Sequence, residues 1–202
     1  MFSPVIEIPA ETPRSIVLEP PLSDDEFERL CERSDFAPLE RSKEGTIIVN
    51  APAGGMTSDG NREITTQLSL WWKSHRHGRV FDSSAGFFLP DGSVLSPDAA
   101  YATAEQLRDL SRDDMARFLR LAPAFIVELR SISDTLAQTA KKMEAWAANG
   151  IELGWLVDPY AREVHIYEPN AAPRTEKGSH VAGSGPIAGF VLDIEEIWRC
   201  YE

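Results

Sequence analysis

Ala124-Phe125-Ile126-Val127-Glu128-Leu129 reads as a buried strand with one carboxylate set into it. A second short apolar stretch lies upstream, Val94-Leu95-Ser96-Pro97-Asp98-Ala99-Ala100-Tyr101-Ala102, and it too carries a single carboxylate, Asp98. A charge inside such a run is costly unless something pairs with it. Two converging carboxylates are well matched by a divalent cation, because hard cations prefer oxygen ligands. A metal site is therefore expected at Asp98 and Glu128, with the Leu129 backbone carbonyl as a further oxygen beside them. Mg²⁺, or Mn²⁺ in its place, suits such a set and keeps several waters.

Outward from this pair, the chain reads as alternating helices and strands. Ser23-Asp24-Asp25-Glu26 is a capping box that opens a helix. Leu39–Arg41 and Thr46–Val49 form a strand pair. A second helix is expected from Thr57-Ser58-Asp59 to His77, stopped by Gly78, with Ile64, Leu68, Trp71 and Trp72 as its apolar stripe. Asn61 falls on that stripe, and Glu63 is read in the first turn, where a carboxylate suits the helix dipole. Val80–Asp82 and Gly86–Leu89 precede the Pro90-Asp91-Gly92 turn. Val94–Ala102 is expected to return as one strand with Asp98 at its middle.

Ser133-Asp134 is expected to cap a third helix ending at Asn149-Gly150. Its predicted buried stripe is Leu136, Ala140, Met143 and Ala147. A cation for a phosphoryl-transfer site is available there as Lys141 or Lys142, and Lys142 borders the stripe. Ile151–Val157 and Val164–Tyr167 pair around Asp158-Pro159, and 170–186 reads as a polar loop. This order gives a mixed α+β (α/β) domain built on a sheet. The expected division is an extended arm over 1–22 and one domain over 23–202.

Composition narrows the function. Hydrophobic residues are 43% of 202, enough for a core. No apolar run is long enough to span a bilayer and the N-terminus lacks a secretory pattern, so a cytoplasmic protein without membrane partners is expected. Cys31 and Cys200 make neither a disulfide framework nor a zinc site. The net charge of −12 counts against a phosphate-binding surface, although residues 1–50 hold eleven acidic and five basic residues and so half of the excess. His75 and His77, with Lys73, Arg76 and Arg79, suit a solvated helix C-terminus.

An ordered set of motifs adds to this reading. Pro97-Asp98, Glu128-Leu129-Arg130-Ser131, Ser133-Asp134, Lys142-Met143, Asn149-Gly150 and Leu153-Gly154-Trp155-Leu156-Val157-Asp158-Pro159 resemble the restriction-endonuclease-like family, abundant in cyanobacteria, of the PD-(D/E)XK nuclease superfamily. The likeness extends upstream through Asn61-Arg62-Glu63-Ile64 and Phe81–Phe87, and covers about 23–200. It implies a restriction endonuclease-like core, a central mixed sheet flanked by helices. It also implies a Mg²⁺-dependent DNA endonuclease with Asp98 and Glu128 as metal ligands, Lys142 as a displaced catalytic lysine, and Asn61 and Glu63 near the site. The chain departs from the superfamily pattern at Arg130, two residues after Glu128, where lysine is usual; arginine transfers protons poorly. A homodimer is expected, since cutting two strands needs two sites. The alternatives are a catalytically weak or inactive nuclease fold acting through protein partners, or another metal-dependent phosphohydrolase.

Overall fold

Both the odd and the even positions of 124–129 are apolar apart from Glu128, so the strand they form must be covered on two sides. The structure, a computed structural model, describes residues 15–34 and 38–202. In chain order its elements are β1 (Ser15–Ile16), α1 (Asp24–Glu32), β2 (Leu39–Arg41), β3 (Ile47–Val49), α2 (Gly55–His75), β4 (Arg79–Asp82), β5 (Phe87–Phe88), β6 (Val94–Leu95), β7 (Ala99–Ala102), β8 (Phe125–Leu129), α3 (Leu136–Ala148), β9 (Leu153–Asp158), β10 (Glu163–Tyr167), β11 (Arg174–Glu176), β12 (His180–Ala182), β13 (Val191–Asp193) and α4 (Ile194–Arg199). The central sheet has the order β11-β10-β9-β8-β7-β4. Its β8 and β9 are parallel and are joined through α3, while its other neighbours are antiparallel. A smaller sheet, β1-β3-β2-β6-β5, lies beside it. The fold is mixed α+β with a mixed sheet flanked by helices.

Alternation along β8 decides what covers each face. Phe125, Val127 and Leu129 join Ile64 and Leu68 of α2 and Ile197 and Trp198 of α4 in one core. Ile126 joins Met143 and Trp146 of α3 in another. Glu128 has the parity of Ile126 and therefore faces α3. Fully burying an apolar side chain such as Phe125 or Ile126 contributes about 1.5–3 kcal/mol. The smaller sheet has its own core, in which Phe27 of α1 meets Ile47, Phe88 and Val94.

Gly60 lets α2 lie close to β8. A Cβ there would stand 2.7 Å from Leu129 Cδ2 and 3.3 Å from Tyr201 Cε2. Gly60→Ala gains ~1 kcal/mol of helix propensity against ~1–3 kcal/mol of overpacking. A net loss of about 1 kcal/mol in urea unfolding is expected; a net gain would mean that α2 is free to shift.

Several boundaries differ from the sequence reading. The capping box of Ser23 and Glu26 forms as predicted. α2 starts earlier, with Gly54 as its N-cap, and ends at His75 because Arg76 turns left-handed (φ 58) before Gly78 is reached. Glu63 is consequently well inside α2, not in its first turn. α3 is capped by Thr135, whose hydroxyl pairs with the Gln138 backbone in a capping box. Asp134 instead accepts from Ser131 Oγ at 2.5 Å. The buried stripe of α3 is Thr139, Met143 and Trp146, with Leu136 and Ala147 exposed, so Lys142 lies within the inward face. The expected strand Val94–Ala102 is broken. β6 pairs with β5 in the small sheet and β7 with β4 and β8 in the large one, and Ser96-Pro97-Asp98 carries the chain between them. The expected loop 170–186 contains β11 and β12, which pair with β10 and β13. Of the expected arm, Ser15–Ile16 pairs with β3, and residues 1–14 lie outside the described residues.

Candidate active site

The break between β6 and β7 exposes Asp98 at the seam of the two sheets. Its own backbone N–H still donates to Val127 O at 3.0 Å. Its carboxylate accepts from the Leu129 N–H at 2.7 Å on Oδ2 and from Asn61 Nδ2 at 2.6 Å on Oδ1. Asp98 as a residue is half-buried.

Glu128 approaches the same seam from β8. It is 4% exposed. Its Oε1 accepts from Trp146 Nε1 at 2.8 Å and lies 3.0 Å from Lys142 Nζ. Lys142 Nζ also donates to Ser96 O at 2.8 Å and lies 2.9 Å from Glu40 Oε1. An ammonium has three N–H donors, and these three acceptors match them.

Three carboxylates thus surround one cation. Burial pushes the Glu128 carboxyl up to about 8, with Lys142 opposing and Asp98 and Glu40 adding to the rise. Burial raises Asp98 as well, against Lys142, the Leu129 N–H and Asn61. Burial works against the charge of Lys142, but Glu128, Glu40 and Asp98 outweigh it and hold the ammonium protonated well above the usual lysine range. Such a lysine is a fixed positive charge and does not exchange protons near neutrality.

The family model for Uma2, described as "putative restriction endonuclease", matches residues 24–195. The chain belongs to the Uma2 family. Its fold is that of a crystal structure described as "a putative nuclease belonging to DUF820" from Anabaena variabilis ATCC 29413, with a TM-score of 0.73 at 20% identity, covering 90% of this chain and 100% of that one. Comparison with curated proteins gives no match.

Not every residue singled out in this Uma2 chain faces the seam. Arg130 turns away from it. Its Nη1 binds Asp158 at 2.8 and 3.1 Å, its Nε donates to Asp134 O, and its guanidinium lies over the Tyr160 ring. Asp158 is 1% exposed and also accepts from the Tyr160 and Ala161 N–H groups. Removing one partner of a buried pair strands the other. Because two backbone donors remain, Arg130→Gln is expected to cost about 3 kcal/mol in urea unfolding, at the low end of that effect; an unchanged midpoint would show the pair to be idle. Glu63 accepts from Arg62 Nη1 at 3.1 Å and from Gln67 Nε2 at 3.2 Å, both on α2 itself.

His75 binds Trp71 O at the end of α2, as a helix-terminal residue should. Two residues of the site, Glu40 and Trp146, were absent from the sequence reading. Glu40 had the signal that Glu128 had, a carboxylate in a strand, but β2 is too short for its burial to be read. Trp146 follows Met143 by three on α3, and the correct stripe would have found it.

Proposed function

We propose that this protein is a divalent-metal-dependent DNA endonuclease that hydrolyses phosphodiester bonds at the seam between its two sheets. The observation that carries this reading is the convergence of Asp98, Glu128 and Lys142 from three separate elements, with Lys142 Nζ 3.0 Å from Glu128.

The residues suit a hard cation. Asn61 Oδ1 is buried without a hydrogen-bond partner, although Nδ2 of the same amide is bound to Asp98. Turning the amide over would set its oxygen against the carboxylate, so the orphan oxygen belongs where it is and lacks a positive partner. The carboxylates also outnumber the one cation among them. Asp98 and Glu128 would hold Mg²⁺ or Mn²⁺, with the Leu129 carbonyl as a third oxygen. Among the described residues no three His, Cys, Asp or Glu side chains form a metal-holding group. A bound divalent ion supplies Lewis acidity and a more acidic water.

The chain's own groups do the rest. Leu129 N–H and Asn61 aim Asp98, Trp146 aims Glu128, and Lys142 contributes a fixed positive charge beside the seam. Cutting both strands of a duplex calls for two such sites, which a homodimer provides.

A second reading, a nuclease fold that works through protein partners, is favoured by two observations: all three Lys142 donors already have acceptors within the protein, and the net charge is −12. Among the described residues no helix is long and apolar enough to cross a membrane.

Plasmid cleavage in Mg²⁺ or Mn²⁺ separates the two. The wild type is expected to nick or linearise DNA, and Glu128→Ala and Asp98→Asn are expected to lose at least about 100-fold. Cleavage surviving in both variants would sink the site. A wild type inert toward duplex and single-stranded DNA in both metals would leave the partner-binding reading.

A further inference from the structure

We propose that Glu40 is a positioning residue of this site, holding the Ser96-Pro97-Asp98 turn and the Lys142 ammonium in register with Glu128. The assignment rests on the nuclease reading for its effect on cleavage, though not for the contacts themselves.

Glu40 sits in the middle of β2, in the smaller sheet, at 4% exposure. Its strand neighbour Arg41 points to the opposite face, where it binds Gly92 O, Leu22 O and Asp24. The Glu40 side chain therefore points toward the larger sheet. Its Oε1 accepts from the Ser96 N–H at 2.8 Å and meets Lys142 Nζ at 2.9 Å. Its Oε2 accepts from Asn50 Nδ2 at 3.1 Å. Lys142 in turn donates to Ser96 O at 2.8 Å. Glu40, Ser96 and Lys142 thus close a triangle in which both backbone groups of Ser96 are held.

Ser96 is two residues before Asp98, in the segment that leaves one sheet for the other. Ser96 and Pro97 lie outside both ladders, between Leu95, which pairs with Phe87, and the Asp98 N–H, which donates to Val127 O. The Glu40 carboxylate replaces the ladder there, and it also sets the ammonium that Glu128 shares. A buried carboxylate is costly, and an ordinary sheet junction needs none. Here it makes the position of Asp98 depend on a residue from the other sheet. A displacement of about 1 Å in such a constellation can cost on the order of 100-fold in rate.

The full chain with Glu40→Gln and Glu40→Ala tests this by three readouts: plasmid cleavage, amide hydrogen exchange, and Mn²⁺ affinity followed by electron paramagnetic resonance. Glutamine keeps an oxygen for the Ser96 N–H and loses the charge; alanine loses both. Glu40→Ala is expected to lower kcat on the order of 100-fold with KM for plasmid within about twofold, and Glu40→Gln to recover about tenfold of that loss. The Leu129 amide, which donates to Asp98, is expected to exchange faster in Glu40→Ala than in the wild type or Glu40→Gln, while Val127 is unchanged. Mn²⁺ affinity is expected to fall far less than in Glu128→Gln.

Wild-type cleavage and wild-type Leu129 exchange in Glu40→Ala would overturn the assignment. So would a loss of Mn²⁺ affinity as large as that of Glu128→Gln, which would make Glu40 a ligand. If the wild type cleaves nothing, the nuclease reading fails by itself; Leu129 exchange in Glu40→Ala then still decides, faster exchange supporting the positioning role and unchanged exchange refuting it.

Discussion

Lys142→Met is expected to be the most damaging single substitution in the protein. Methionine keeps much of the aliphatic stem that lies along α3, so the loss is mainly that of the charge. Removing the ammonium leaves Glu40 and Glu128, each 4% exposed, beside Asp98 with no cation among them. Stranding buried charge by deleting one partner costs about 3–5 kcal/mol. The Ser96 carbonyl loses its donor as well. The deficit has a defined pH dependence. A lysine whose folded pKa is raised stabilises the protein fully below its unfolded value of about 10.4, so the wild type holds this contribution throughout the neutral range. In the variant the uncompensated carboxylates can escape their repulsion only by taking up protons. Lys142 holds the Glu128 carboxyl below where burial and its acidic neighbours would set it, so the variant keeps that proton to higher pH and its deficit is expected to grow as the pH rises through about 8. Urea unfolding below and above pH 8 checks this. Equal stability of variant and wild type at the higher pH would mean that Lys142 is not the counter-ion of these carboxylates. Cleavage should fall by at least about 100-fold at every pH.

Glu128→Gln is expected to move stability and activity in opposite directions. Burial raises the Glu128 carboxyl from 4.5 to about 8 in the folded protein. An acid whose folded pKa is raised binds its proton more tightly when folded, so the wild type loses stability as the pH climbs from 4.5 to about 8. Glutamine has no such proton. It keeps an oxygen for Trp146 Nε1 and for Lys142, which alanine would not. In metal-free buffer at pH 8 the variant is expected to be more stable than the wild type by as much as a few kcal/mol, with the difference vanishing near pH 4.5. Excess Mg²⁺ or Mn²⁺ should raise the wild-type melting temperature by mass action and leave the variant nearly unmoved. Cleavage should be lost. A site that is destabilising when empty and required for activity is the expected signature of a functional cluster. A variant less stable than the wild type at pH 8 would instead show that the Lys142 and Trp146 contacts outweigh the burial of the charge.

The legible and illegible parts of this site divide by range. β8 could be read because six consecutive residues share one environment, and a lone carboxylate in such a run announces itself. Lys142 could be placed on α3 because helical periodicity fixes its angle relative to Met143, although the stripe was set about one residue off. That error has a local cause: Ser133-Asp134 and Thr135 both look like caps, and only the Gln138 side chain returning to Thr135 selects the second. The reading of Val94–Ala102 as one strand failed for a different reason. Apolar patterning is the same whether a strand stays in its sheet or leaves it, and Pro97 alone does not say where the chain goes next. Arg130 stood two residues after Glu128, in the slot where lysine is usual, but its direction depends on Asp158, which arrives from β9.

Residue types and spacing along the chain were thus sufficient for the mixed α+β class and for singling out Asp98 and Glu128, because these follow from local periodicity and from the cost of burying charge, while the helix-flanked sheet came with the family resemblance. The seam between the sheets, the turning away of Arg130 and the presence of Glu40 beside Lys142 depend on contacts between residues far apart in the chain. Glu40 and Ser96 are 56 positions apart, and no local pattern encodes a hydrogen bond whose geometry exists only after two sheets have packed.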